Sequence, residues 1–223
     1  MKSQVPVLLC SLGLMSHPVA ENRTLPAVAP VRIVFATALL STDLQVRKFV
    51  THYVKDNDES LARVKQRSKR PFTIIDSIFK RYDLPTELRY LAVIESELKS
   101  TATSRVGAKG PWQLMAQTAR DLGLKVNGRA DERTNYYKST KAAALYLRDL
   151  HREFKDWLLV LAAYNAGPVP VHRAMHRSHS TDFWTLQRYL PKESQQHVRR
   201  FLATAWYFDS TNPVPEQREI ATL

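Results

Sequence analysis

Residues 84–99 have the sequence LPTELRYLAVIESELK, in which apolar residues recur at the spacing of an amphipathic helix. On a helical wheel, the apolar stripe is formed by Leu84, Leu88, Leu91, Ala92 and Leu98. Glu95 falls within about 20° of the middle of this stripe, whereas Glu97 points to the opposite side, toward solvent. A buried, unpaired carboxylate is energetically costly, so Glu95 is predicted to have either a cationic partner or a chemical role.

Helical spacing continues on both sides of this segment. Thr42 and Asp43 can cap a helix that runs through Tyr53, and Pro71 is predicted to begin a second helix. Further helices are predicted at about 111–122, 139–153, 156–166, 169–177 and 192–209. A Ser-, Thr- and Gly-rich loop is predicted at 101–110, and a short hairpin near 124–130 is the only predicted β structure. The pattern predicts an all-α protein with one compact domain.

The composition is that of a globular and strongly basic protein. Hydrophobic residues make up 44% of the 223 residues, and 33 Lys and Arg against 21 Asp and Glu give a net charge of +12. This charge favours a polyanionic partner, which could be nucleic acid, an anionic membrane surface or an anionic cell wall. No zinc-ligand cluster, phosphate-binding glycine loop or RNA-binding aromatic signature occurs in the sequence, so nucleic acid has only charge in its favour. The single cysteine, Cys10, excludes an intramolecular disulfide.

The N-terminus has the pattern of a short export signal. Lys2 precedes an apolar run at residues 5–15, and Ala20 offers a small residue for cleavage before Glu21. The run is shorter than the roughly 18 consecutive apolar residues of a membrane-spanning helix. We therefore predict a signal peptide at residues 1–20 and export to the periplasm or cell envelope, with a disordered apolar leader as the alternative.

Three short motifs occur in a fixed order along the chain. They are Ile94-Glu95-Ser96, the sequence GPWQLM at residues 110–115, and the sequence AAYNAG at residues 162–167. Together they resemble the lysozyme-like lytic transglycosylases of bacterial envelopes, especially the branch of membrane-bound lytic murein transglycosylase D. The resemblance covers about residues 72–208. It implies a lysozyme-like fold of the goose-type lysozyme and SLT kind.

The resemblance also implies a role for individual positions. Glu95 is expected to be the catalytic residue, with Tyr164 close to it as an orienting group and Asn165 in contact with an N-acetyl sugar. The residues expected to bind or approach the substrate are Ser96, Ser104, Gln113, Met115, Tyr164, Asn165 and His197. The chain departs from the family pattern at Ala116, where a proline is usual, and at His197, where the usual residue is a tyrosine.

The family's reaction, as the resemblance implies it, is the cleavage of peptidoglycan without water. Glu95 is expected to protonate the β-1,4 glycosidic oxygen between N-acetylmuramic acid and N-acetylglucosamine. The same carboxylate then takes the proton of the muramic acid C6 hydroxyl, and a 1,6-anhydro sugar is released. No metal or organic cofactor is implied. A second carboxylate, which two-carboxylate glycosidases need, is not supplied by any of the motifs.

On this basis the chain divides into four parts. They are the signal peptide at 1–20, a linker and helical extension at 21–70, the transglycosylase domain at 71–210 and a tail at 211–223. The expected partner is the peptidoglycan glycan strand, with peripheral envelope association and without nucleic acid; the oligomeric state is left open. The alternatives are a hydrolytic goose-type lysozyme with the same glutamate, a non-catalytic wall-binding module, and a basic nucleic-acid-binding protein.

Overall fold

Nine α-helices and three short 3₁₀-helices form residues 44–209, the part of the chain that the structure, a computed structural model, describes. The α-helices are α1 (Leu44–Arg67), α2 (Lys69–Arg81), α3 (Tyr90–Ser96), α4 (Ala116–Asp121), α5 (Tyr136–Phe154), α6 (Trp157–Ala166), α7 (Pro168–Ser178), α8 (Phe183–Leu186) and α9 (Lys192–Asp209). The 3₁₀-helices are Thr86–Arg89, Glu132–Thr134 and Gln187–Tyr189. Within these residues, β structure is limited to isolated bridges: Thr103 to Lys109, Lys109 to Leu114 and Val126 to Asp131. The prediction of an all-α protein is confirmed.

Helix α6 lies at the centre of the fold because it is apolar on every side. All of its residues from Trp157 to Ala163 are buried, and the helix packs against α5, α7 and α9. The side chain of Asp156 caps its start by accepting a hydrogen bond from the backbone N–H of Leu159 at 2.9 Å. The helix ends at Gly167, whose φ is 81°. This end places the two polar residues of the AAYNAG motif in the last turn of a buried helix.

Helix α1 packs along α9 and shares the core of the remaining helices. Val46, Val50 and Val54 are each at most 6% exposed and belong to the same hydrophobic cluster as α6. The charged residues from 56 onward continue the helix as far as Arg67. No helix in residues 44–209 combines the length and apolar composition needed to cross a bilayer. The predicted signal peptide, linker and tail at 1–43 and 210–223 lie outside the described residues.

Several predicted helix boundaries were wrong, and the backbone shows why. Helix α2 begins at Lys69, so Pro71 is its third residue rather than its first. The segment 84–99 is two helices, since Pro85 is extended and is followed by a 3₁₀ turn before α3 begins. The segment 111–122 is helical only in α4, because Gln113 adopts a left-handed conformation with φ 45°.

The Trp112 side chain belongs to the core. It is fully buried, and its ring lies 5.6 Å from the ring of Phe79. Its indole N–H donates to the hydroxyl oxygen of Thr140 on α5 at 3.0 Å, so its polar group is paired. Trp112 therefore anchors the GPWQLM motif to α2 and α5.

Candidate active site

Glu95 lies in the last turn of α3, on the apolar face that the sequence predicts. Leu88, Leu91 and Ala92 on this face are fully buried. The side chain of Glu95 itself is 18% exposed, so its carboxylate reaches the surface from an apolar surrounding. A carboxylate in such a place is suited to exchanging a proton with a bound molecule.

The direct partner of Glu95 is His197 of α9. The Nε2 atom of His197 lies 2.8 Å from Oε1 of Glu95. The His197 side chain is only 3% exposed, and among the described residues its Nδ1 atom is buried without a hydrogen-bond partner. His197 is therefore a buried hydrogen-bond partner of the Glu95 carboxylate.

Tyr164 of α6 also lies near Glu95, but its hydroxyl has another partner. The hydroxyl donates to the backbone carbonyl of Trp112 at 2.7 Å. Burial, with a smaller contribution from the nearby Glu95 carboxylate, raises the pKa of Tyr164 well above the usual tyrosine range. Tyr164 thus stays neutral and joins α6 to the GPWQLM motif. The hydrogen bond to Glu95 comes from His197 instead, and the expectation that Tyr164 orients Glu95 stays a prediction.

Asn165 is held by a residue that the sequence analysis missed. The buried hydroxyl of Ser194 on α9 donates to Oδ1 of Asn165 at 2.9 Å. The amide Nδ2 group of Asn165 has no hydrogen-bond partner in residues 44–209. It is therefore a donor that is available to a ligand. Ser194 could have been found in the sequence, because it lies three residues before His197, on the same face of α9.

The loop and turn at residues 101–115 hold three further predicted site residues. The Ser104 hydroxyl accepts a hydrogen bond from the backbone N–H of Ala108 at 3.0 Å. The side-chain amide of Gln113 donates to the carbonyl oxygens of Ala102 and Gly110, at 3.2 and 2.9 Å. Met115 is 46% exposed. Ser104 and Gln113 therefore stabilise the loop, whereas Met115 is the residue of this group that offers a free apolar surface.

Ser96 is a packing residue in this structure. It is buried, and its hydroxyl lies 3.1 Å from the carbonyl oxygen of Ala92 and 2.9 Å from that of Pro111. The second bond ties the end of α3 to the GPWQLM motif. The Ser96 hydroxyl thus has partners within the protein, and its expected contact with the substrate stays a prediction.

The end of α3 is built from two left-handed residues and an ionic cluster. Glu97 and Leu98 have φ of 53° and 64°, a conformation that costs about 1–3 kcal/mol for residues other than glycine. The Glu97 carboxylate lies 2.9 Å from Lys99 and 3.1 Å from Arg67 of α1, and these hydrogen bonds lower the pKa of Glu97. Glu97 was predicted to face solvent; its side chain is 44% exposed and bonds to Arg67 of α1.

Arg133 fastens the loop of Ser104 and Gln113 to the rest of the domain. Its side chain is 8% exposed, and its guanidinium donates to the carbonyl oxygens of Gly107 and Leu114, at 2.8 and 3.0 Å. Asp131 pairs with it at 2.8 Å and also contacts Lys109 at 3.2 Å. The hydrogen bond from Arg133 is the largest cause that lowers the pKa of Asp131.

We expect Asp131→Asn to lower the stability at pH 7 by about 2 kcal/mol, the scale of a hydrogen bond to a charged group. The folded-state pKa of Asp131 lies below the unfolded value of about 3.9. Its contribution is therefore complete above about pH 5 and is lost as the pH falls toward the folded-state pKa. Urea unfolding at pH values from 7 to 3 should show that the free energy of unfolding falls less in the variant than in the parent.

The control for this experiment is Asp149→Asn. Asp149 is 52% exposed and pairs with Arg148 and Arg152 on the surface. An exposed pair of this kind contributes less than about 1 kcal/mol. Equal effects of the two substitutions at pH 7 would contradict the role of Asp131.

The structure thus brings some of the predicted site residues together and gives others a different role. Glu95, His197 and Tyr164 form one cluster, and Asn165 follows Tyr164 in the same helix turn. Among residues 44–209, no group of three or more His, Cys, Asp or Glu side chains is arranged to hold a metal ion.

Comparison with known proteins identifies the family. Residues 73–187 match the transglycosylase SLT domain, more than half of the chain. The chain belongs to the transglycosylase SLT domain family. Over 129 residues, this SLT domain is 40% identical to membrane-bound lytic murein transglycosylase D of Escherichia coli (strain K12), a match that covers 56% of the chain and 28% of the relative. It is also 34% identical over 127 residues to the peptidoglycan transglycosylase gp16 of Escherichia phage T7, covering 56% of the chain and 9% of that protein.

The fold of the SLT domain is also found in solved structures. The X-ray structure of an inactive mutant of the lytic transglycosylase Slt from Pseudomonas aeruginosa matches with a TM-score of 0.53 at 24% identity, over 66% of this chain and 26% of that chain. The lysozyme-like, all-α fold is thereby confirmed. The present chain spans about a quarter of the length of the E. coli relative and of the P. aeruginosa structure.

Proposed function

We propose that this SLT domain is a peptidoglycan lytic transglycosylase, with Glu95 as its single acid and base. The observation that carries the proposal is the position of the Glu95 carboxylate. It is partly exposed at the edge of an apolar face and hydrogen-bonded to one buried imidazole. In residues 44–209, no hydrogen bond or ion pair joins Glu95 to a second carboxylate. The names of the two relatives, a murein transglycosylase and a peptidoglycan transglycosylase, support the substrate class.

The proposed reaction proceeds in two proton transfers at the same carboxyl group. Protonated Glu95 donates its proton to the glycosidic oxygen between N-acetylmuramic acid and N-acetylglucosamine, and the bond from that oxygen to C1 breaks. The ionised carboxylate then accepts the proton of the C6 hydroxyl, and the oxygen of that hydroxyl bonds to C1. The products are a new N-acetylglucosamine hydroxyl and a 1,6-anhydro-muramic acid end, and Glu95 is protonated again. Since the attacking hydroxyl belongs to the reacting sugar, no water has to be positioned.

The neighbouring residues would hold the sugar for this reaction. The free amide nitrogen of Asn165 is a suitable donor to the carbonyl of an N-acetyl group, and exposed Met115 offers apolar surface to a sugar ring. Ser104 and Gln113 would act by shaping the loop that carries Met115. The boundary at residue 71 and the assignment of Ser96 and Tyr164 as substrate contacts remain predictions.

The cellular context is proposed from the sequence. The apolar segment at 5–15 would export the protein, and the net charge of +12 would favour association with the anionic cell wall. The oligomeric state stays open.

Mass analysis of the muropeptides released from purified sacculi tests this function. We expect products that end in 1,6-anhydro-N-acetylmuramic acid, which are one water lighter than the hydrolytic products. Reducing ends would indicate a goose-type hydrolase with the same fold. Binding to sacculi without any soluble product would instead indicate a non-catalytic wall-binding module.

A further inference from the structure

The two oxygens of the Glu95 carboxyl group have different surroundings. Oε1 lies 2.8 Å from Nε2 of His197. The Glu95 side chain is 18% exposed and the His197 side chain is 3% exposed. Oε2 has no hydrogen-bond partner in residues 44–209. It is not a buried atom, so it is accessible to solvent. Oε2 is therefore the oxygen that opens toward solvent and toward a bound substrate.

The hydrogen bond at Oε1 determines which ring nitrogen carries the hydrogen in a neutral His197. An ionised carboxylate can only accept a hydrogen bond, so Nε2 must carry the hydrogen when Glu95 is ionised. The neutral imidazole then has a bare Nδ1 atom. This is consistent with the surroundings of Nδ1, which is buried and has no acceptor within the described residues.

The same tautomer serves protonated Glu95 only if the proton is on Oε2. A proton on Oε1 would have to be donated to Nε2, and the imidazole hydrogen would move to Nδ1. There it would be a buried donor without an acceptor, which carries a desolvation penalty. A proton on Oε2 leaves Oε1 as a carbonyl-type acceptor, and His197 does not change between the two halves of the reaction.

We propose that His197 is a positioning residue that assigns the two oxygens of Glu95. Oε1 accepts the hydrogen bond from Nε2 throughout, and Oε2 exchanges the proton with the substrate. The inference rests on the proposed function in that it takes Glu95 as the acid and base. It goes beyond that function because it assigns the reacting oxygen and gives His197 a role other than a substrate contact.

Three ionisable residues on the helices that carry the pair or pack beside it have other hydrogen-bond partners. Tyr164 on α6 is neutral, and its hydroxyl donates to Trp112 rather than to Glu95. Glu97 at the end of α3 bonds to Lys99 and Arg67. On α9, Arg199 donates to Gln187. None of these three groups forms a hydrogen bond to either oxygen of Glu95 or to His197.

Two substitutions at His197 separate the donor from the bulk of the ring. Glutamine places an amide N–H near the position of Nε2, whereas phenylalanine fills the space without a donor. With a soluble glycan, we expect His197→Gln to keep kcat within about fivefold of the parent. We expect His197→Phe to lower kcat by about 10²-fold with KM within about twofold, since the change acts on the reacting carboxyl group. Thermal unfolding of both variants checks that they are folded.

Nitrogen-15 NMR of histidine-labelled protein provides a test that needs no turnover. We expect the His197 signal, assigned by its absence in His197→Gln, to be that of the Nε2–H tautomer. The Nδ1–H tautomer would overturn the proposal, and so would a His197→Phe protein with the kcat of the parent. A His197→Gln protein that is folded but as slow as His197→Phe would overturn it too. A failure of the proposed function would appear separately, as full activity of Glu95→Gln or as the absence of sugar cleavage by the parent.

Discussion

Glu95→Gln is expected to abolish the release of anhydro-muropeptides from sacculi, with a loss of about 10²–10⁴-fold in rate. The amide has the size of the carboxyl group and its oxygen can still accept the hydrogen bond from His197, so the local packing is kept. It cannot donate a proton to the glycosidic oxygen or accept one from the C6 hydroxyl. Both proton transfers are therefore lost together. Initial rates of product release by mass spectrometry, with circular dichroism as the check on helix content, measure this effect.

The matched control is Glu97→Gln, two residues along the chain. It makes the same chemical change at the same end of α3. Glu97, however, pairs with Lys99 and Arg67, whereas Glu95 pairs with His197. The Glu97 side chain is 44% exposed, and surface ion pairs contribute less than about 1 kcal/mol each. We expect activity within a few-fold of the parent. Equal losses from the two substitutions would refute Glu95 as the acid and base.

The second large effect is expected from Gly110→Ala in the GPWQLM motif. A Cβ atom at this position would lie 1.9 Å from the carbonyl oxygen of Arg133 and 2.7 Å from its carbonyl carbon. This backbone cannot easily withdraw, since the guanidinium of Arg133 is bonded to Gly107, Leu114 and Asp131. The φ of 83° at Gly110 adds strain for any side chain. We expect the free energy of unfolding to fall by about 3 kcal/mol or more.

Activity should fall with stability in this variant, because Gly110 precedes Trp112 and Gln113 in the turn beside Glu95. The measurement is urea unfolding together with the rate of product release at a temperature where the variant is folded. Gly107→Ala is the control. Gly107 has nearly the same φ, 85°, but a Cβ atom there has no neighbour within 4 Å. Its cost should be limited to the backbone strain, about 1–2 kcal/mol. An equal decrease in the free energy of unfolding for the two variants would show that the contact with Arg133 does not cause the effect of Gly110→Ala.

The helical pattern of residues 84–99 was sufficient to predict that Glu95 lies on an apolar face, because a helix has a fixed angle per residue. The same reasoning located α5, α6, α7 and α9 to within a few residues. It did not predict the helix boundaries within 84–99 and 111–122, because the chain has a 3₁₀ turn and left-handed residues there. The carbonyl of Glu97 accepts a hydrogen bond from Arg67, 30 residues away, and that of Leu98 accepts one from Tyr136, 38 residues away. Local periodicity contains no information about these contacts.

The roles of single polar atoms were the least predictable feature of the site. Tyr164 and Ser96 were expected near the substrate, yet their hydroxyl groups bond to the backbone of Trp112 and Pro111. Ser194 and Arg133 were not predicted at all, although they hold Asn165 and the loop of Ser104 and Gln113. A hydroxyl or an amide can face either a ligand or the protein backbone, and the choice depends on which chain segment packs against it.

The order of three motifs and the spacing of apolar residues determined the helical fold, the family and the position of the acidic residue. The apolar spacing depends on residues within a few helical turns, and the motifs lie in a fixed order along the chain from residue 94 to residue 167. The tertiary structure alone decided that Glu95 is paired with His197, 102 residues further along the chain. It also decided that one carboxyl oxygen is occupied and the other is open. That pairing requires α3 and α9 to pack beside each other, and their approach is set by the burial of the whole core, to which helices from α1 to α9 contribute.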